Sequence, residues 1–195
     1  MPLRQGFEEG SMEKTTLQDT LALGDAGKKL IIDYLSQNGI KVFPHIHDKA
    51  YQGQSIDFSF GYNKKLYTAF VRTDTKINRS GNIFLETYMH RRGTAPLSGL
   101  LEKGWYYTGK ANFLCYLDAV SGSLWFFDWE NIKRYARDVV VAQCQFSNRI
   151  DAHTQGQGYV FPVADIEDDR DITLHIANVD TTPLYKFNWT RPRPF

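Results

Sequence analysis

The chain has 195 residues, a formal net charge of +1, 42% hydrophobic and 23% charged residues. This balance excludes bulk disorder and a protein that holds nucleic acid through net charge alone, while leaving room for a local basic groove. No apolar run approaches the ~20 residues needed to span a bilayer, and the start lacks a signal-peptide pattern, so a soluble, cytoplasmic protein without membrane contact is expected. Aromatic residues reach 14%, which fits either a large aromatic core or a surface on which bases stack.

Residues 1–16 carry no periodic pattern. Gly10-Ser11-Met12 reads as a cloning junction before a native start at Met12, or as part of a flexible leader. From Leu17 to Asn38 the apolar positions Leu23, Ala26, Leu30, Ile31, Tyr34 and Leu35 recur at helical spacing, and Gly39 marks the end. Gly24 and Gly27 weaken the first half, and Gly24-Asp25 marks a break with Asp25 capping a second piece.

Strand patterns follow. Ile40–Phe43 reads as a strand ended by Pro44. Ser55–Phe60 alternates, with Ile56, Phe58 and Phe60 on one face and Ser55, Asp57 and Ser59 on the other. A turn at Gly61–Asn63 leads into a strand over Lys65–Arg72. A loop at Asn78–Gly81 precedes a strand over Asn82–Tyr88, and these strands are expected to form a meander. After a Gly/Pro/Ser loop from Gly93 to Gly99, a helical stretch is expected over Leu100–Gly104, extending toward Tyr107. Ala111–Leu117 reads as a buried strand, Ser121-Gly122 as a hairpin turn and Ser123–Phe127 as its second strand. Asp128 is placed to cap a helix from Trp129 to about Arg137.

Val139–Phe146 is a strand or a helix end, His153–Gly158 a loop, Gly158–Pro162 extended, and Asp165–Asp171 helical. The order of elements predicts an α/β fold with a mixed central sheet flanked by helices over residues 17–184. A basic, aromatic tail occupies residues 185–195, where Trp189, Arg191, Arg193 and Phe195 form an arm suited to a protein or nucleic-acid partner. Cys115 and Cys144 lie in apolar segments without CxxC spacing, as buried reduced thiols do.

Several residues carry potential chemistry. Asp57 lies on the polar face of its strand, and Phe70, Arg72 and Asp74 share a face of the next. The later segments Ser80-Gly81-Asn82-Ile83-Phe84-Leu85-Glu86, Ser98-Gly99-Leu100, Ala111-Asn112 and Gly158-Tyr159-Val160-Phe161-Pro162 follow in order. Together these resemble, over roughly residues 20–165, the metal-dependent nucleases of the PD-(D/E)xK type. The resemblance implies a restriction-endonuclease-like core, DNA as partner, and Mg²⁺ held between an Asp on one strand and a Glu on the next. In that scheme a Lys two residues after the Glu helps position the attacking water.

Asp57 matches the family's Asp, but the E-x-K motif falls on Phe70-Val71-Arg72. Phenylalanine offers no ligand, and arginine does not release its proton near neutral pH. The carboxylate that some family members supply from the first helix falls near Lys28, one turn after Asp25.

Two readings of this site stand. In one, catalysis has been lost and the fold binds DNA or a DNA-handling protein. In the other, an active Mg²⁺-dependent endonuclease gathers Asp57, Asp74 and Glu86 around the metal, with Arg72 beside them, although four residues along a strand displace a carboxylate by ~13 Å. A structural subunit of a larger assembly is a third reading. The resemblance admits a homodimer, although no isologous patch is marked in the sequence.

Arg79, Arg91, Arg92, Lys103 and Lys110 are the candidate phosphate contacts. His45-Ile46-His47-Asp48 reads as a loop with solvated histidines, and Trp105-Tyr106-Tyr107 as core, with insertion between bases the alternative. No GxSxG, Walker-type or Rossmann glycine pattern occurs.

Overall fold

A computed structural model describes residues 17–46, 48–91, 102–140, 146–150 and 154–186. The leader, the loop from Gly93 to Gly99, Cys144 and most of the C-terminal arm lie outside these residues.

The first helix, α1 (Leu17–Gln37), is continuous. Leu23, Gly27, Ile31 and Leu35, four residues apart, form its buried stripe. There is no break at Gly24-Asp25. Gly27 is instead a packing glycine: a Cβ there would lie 2.0 Å from Thr73 Oγ1. The missing side chain lets the helix approach the sheet, and that approach outweighs glycine's poor helix propensity.

The chain continues through β1 (Val42–Pro44), the short helix α2 (Lys49–Gln52), β2 (Phe58–Tyr62) and β3 (Lys65–Asp74). Pro44 belongs to β1, an edge strand where its missing N–H costs no ladder bond. The β2–β3 turn falls at Asn63 and Lys64, both left-handed at φ 49° and 62°, so Gly61 and Tyr62 remain in the strand. Residues expected as a loop form a single helical turn, α3 (Ile77–Ser80), closed by Gly81 at φ 66°.

Next come β4 (Asn82–Arg91), β5 (Glu102–Lys103), the one-turn helix α4 (Trp105–Thr108), β6 (Phe113–Asp118) and β7 (Ser123–Asp128). The expected Leu100–Gly104 helix is therefore corrected within its described part: Glu102 and Lys103 pair with β4, and helical geometry starts at Trp105. The Asp128 carboxylate accepts from Asn131 N and caps α5 (Trp129–Tyr135), which runs into a π-helical turn over Ala136–Val140.

Finally come β8 (Phe146–Ile150), β9 (Thr154–Pro162) and β10 (Thr173–Asn178), with 3₁₀ turns over Val163–Asp165 and Thr182–Lys186. The His153–Gly158 loop is replaced from Thr154 onward by β9, because pairing with β4 on one side and β8 on the other satisfies its backbone. The acidic segment after Asp165 turns rather than forming a helix.

The strands make a six-stranded mixed sheet in the order β1-β2-β3-β6-β7-β10 and a four-stranded antiparallel sheet in the order β5-β4-β9-β8. Within the first, β3 and β6 are parallel and the other neighbours antiparallel. The expected meander holds for β1–β3 and fails at β4, which leaves for the second sheet.

The mixed sheet flanked by helices is present. One face packs on α1 through Phe58, Ala69, Val71, Cys115 and Leu117. The other packs Leu114, Tyr116, Trp125 and Phe127 against α4, α5 and second-sheet residues Ile83, Leu85, Tyr159 and Phe161. Alternation along β3 therefore sends Ala69, Val71 and Thr73 toward α1 and Phe70, Arg72 and Asp74 to the opposite face. Among the described residues no helix is long and apolar enough to cross a membrane.

Gly27→Ala adds a methyl group where Thr73 already sits. It is expected to destabilise by about 1–3 kcal/mol despite the better helix former, as overpacking does. Urea unfolding of Gly27→Ala alone and with Thr73→Ala checks this: the second change, which empties the contact, restores most of the loss.

Candidate functional site

The site is built where β2 begins beside the middle of β3. Asp57 N–H donates to Ala69 O (2.8 Å), and its carboxylate Oδ2 accepts from Val71 N (2.7 Å). Asp57 is thus bonded to both residues flanking Phe70, but the Phe70 side chain points to the opposite face of β3, away from the Asp57 carboxylate. From the other side His45 N donates to Asp57 O (2.8 Å).

Asp57 is 6% exposed, and its second oxygen, Oδ1, lies 3.0 Å from Lys28 Nζ on α1. Lys28 also reaches Asp25 Oδ1 at 3.3 Å, one helical turn away. A lysine ammonium is therefore wedged between two carboxylates at the helix–sheet junction. Both Asp57 oxygens are engaged, one by a backbone amide and one by a cation. Burial, followed by the Asp57 charge, pushes the neighbouring Cys115 thiol well above its ordinary range, keeping it protonated. Cys115 is fully buried and unbridged.

The opposite face of β3 carries a different arrangement. The Phe70 ring packs 5.3 Å from Trp105, the first residue of α4. The Arg72 guanidinium lies 5.0 Å from the centre of the Trp105 ring and 5.9 Å from that of Phe70. Such stacking suits a planar, weakly hydrated cation. Trp105 in turn stacks on Trp129 at 5.6 Å, so the platform under Arg72 is anchored in the core.

Asp74, 5% exposed, accepts from Lys76 N (2.7 Å) and from the Tyr116 hydroxyl (2.9 Å). It closes the turn after β3 rather than facing Asp57. Its neighbour in the parallel ladder, Asp118, does the same after β6, accepting from Val120 N and Ser121 Oγ. Glu86 lies on β4 in the second sheet, with its Cγ against Gly104.

The structure does not bring Asp57, Asp74 and Glu86 together. Among the described residues no three His, Cys, Asp or Glu side chains are grouped to hold a metal ion. Mg²⁺ asks for about six oxygens in near-octahedral array. The hairpin offers one carboxylate, already bonded on both oxygens, and the Phe70 ring turns to the other face. The residues present therefore do not fit the ion.

Among the candidate phosphate contacts, Arg79 is exposed on α3, Lys103 on β5, and Lys110 just after α4. Arg91 ends β4, and Arg92 lies outside the described residues. His45 is half-buried rather than freely solvated: its ring stacks on Tyr51 (3.8 Å, 3°) and Nε2 lies 2.7 Å from Ser59 Oγ. Asp48 caps α2 through Ala50 N, and His47 lies outside the described residues. Trp105 and Tyr106 are core residues, as expected, whereas Tyr107 is exposed.

Sequence reading missed Lys28 as the partner of Asp57 and Trp105 as the support of Arg72. The buried stripe through Gly27 carried a signal for the first, because it places the next residue at the helix–sheet boundary.

Removing Lys28 leaves a buried carboxylate without its cation. Lys28→Ala is expected to cost about 3 kcal/mol, the scale of breaking a buried pair, and Asp57→Asn/Lys28→Ala to recover part of that loss. Denaturant unfolding of the two variants checks the order.

No protein-family model matches the chain, and no curated protein matches it. Among solved structures the chain is similar to a bacterial homing endonuclease, I-Ssp6803I, with 16% identity and a TM-score of 0.45, over 60% of this chain and 73% of that chain.

Proposed function

We propose that this protein binds DNA on a restriction-endonuclease-like core whose cutting site has been replaced by an internal ion pair. The observation that carries the reading is the Lys28–Asp57 contact: a fixed ammonium lies where the retained aspartate would need a divalent ion. Phe70, on the opposite face of β3 against Trp105, supplies no second ligand. Arg72, stacked on Trp105, keeps its charge but does not deliver a proton or activate water at neutral pH.

What remains is a charged, aromatic surface that can contact phosphate without attacking it. Exposed Arg79, Lys103 and Lys110 supply the positive charge. Because net charge is only +1, contact depends on these local groups and weakens steeply with salt.

The test incubates the protein with supercoiled and branched DNA in Mg²⁺ or Mn²⁺, alongside a gel shift at rising salt. Expected are intact DNA and salt-sensitive retention. Cleavage abolished by Asp57→Ala would overturn the reading in favour of an active endonuclease; neither cleavage nor retention would favour a subunit of a larger assembly.

A further inference from the structure

We infer that Tyr107, held by Tyr88 and accompanied by Lys103, forms a stacking platform for an unpaired base, so that the nucleic acid taken by this protein includes a single-stranded segment. The inference rests on the DNA-binding reading and specifies its substrate class.

Tyr107 is 47% exposed, unlike its neighbours Trp105 and Tyr106 on the same helix. Its ring is nevertheless fixed. Tyr88 packs against it at 5.4 Å, and Tyr106 meets it edge-on at 4.9 Å and 88°. Tyr106 is itself anchored, edge-on to Tyr159 at 5.1 Å and donating through its hydroxyl to Lys133 O. A ring presented by a rigid support loses little entropy when a base stacks on it.

A bulge sets up this arrangement. Glu86 pairs with Gly158 and Tyr88 with Gln157, so Thr87 is the extra residue of β4. Its hydroxyl donates to Gln157 O. The bulge returns Tyr88 to the face shared with Leu85 and Tyr159, where α4 lies.

Lys103 supplies the complementary charge. It is the antiparallel partner of Tyr88, so the two side chains stand on the same face, and Lys103 is exposed. Lys110 is exposed just beyond the other end of α4. A cation beside an aromatic ring matches a nucleotide, with the base on the ring and the phosphate on the ammonium. Burial raises the hydroxyl pKa of Tyr107, and that of Tyr106 to about 12. Both phenols thus stay neutral and do not repel phosphate. The same helix begins with Trp105 under Arg72, which makes the platform continuous with the proposed DNA-binding site.

The test measures fluorescence anisotropy of a labelled twenty-nucleotide oligothymidylate and of a labelled twenty-base-pair duplex with the full chain. Tyr107→Ala is expected to weaken oligothymidylate binding about ten-fold or more, with little change for the duplex, and Tyr107→Phe to keep wild-type affinity. Undiminished oligothymidylate binding by Tyr107→Ala would overturn the platform. Wild-type binding to duplex but not oligothymidylate would also overturn it while leaving the DNA-binding reading intact. Binding to neither probe would overturn both.

Discussion

The ion pair between Lys28 and Asp57 ties the first helix to the central hairpin of this molecule. It joins α1 to the point where β2 begins, and Asp57 simultaneously ties β2 to β3 through Val71 N. A buried carboxylate requires a compensating charge. Here a lysine from the chain itself supplies it, with Gly27 next to it allowing the helix to come close. The same contact therefore accounts for local stability and for the poor fit of a metal.

The two faces of β3 divide the work. The face toward α1 holds the ion pair and an apolar cluster. The other face presents Arg72 above Trp105, and behind it stands a core shared by two sheets. On that side the aromatic residues grade outward, from Trp129 and Trp105 in the interior, through Tyr106, to Tyr107 and Tyr88 near the surface. The aromatic richness of the composition thus builds the core and leaves the Tyr107 ring exposed.

Much of the fold was legible in the sequence because its signals are local. The α1 stripe, the alternation in β2, the apolar run of β6 and the Asp128 cap each follow from a few adjacent residues. The second sheet was not, because β4 and β9 satisfy each other across about seventy residues, and such pairing overrides the loop-like composition of Thr154–Gly158. Gly24-Asp25 read as a break because tertiary packing at Gly27 is invisible to propensity.

At the site, Asp57 was readable as a carboxylate at the start of a strand, whereas Phe70 and Arg72 turn to the opposite face of β3, away from it. The meeting of Asp57 with Lys28 depends on how closely α1 approaches β3, a distance that no local pattern encodes. Asp74 shares the face of Arg72 along the strand, but its engagement with Tyr116 involves the neighbouring strand and turns it into a structural cap.

The most direct test of the central claim is a titration of the wild-type protein with Mn²⁺ followed by amide NMR. The Val71 amide, which donates to Asp57, is the reporter. With Lys28 in place, this signal is expected to keep its line width at Mn²⁺ concentrations that broaden exposed acidic loops. Selective broadening of Val71 at low Mn²⁺, ahead of those loops, would show the ion reaching Asp57 and would contradict the account.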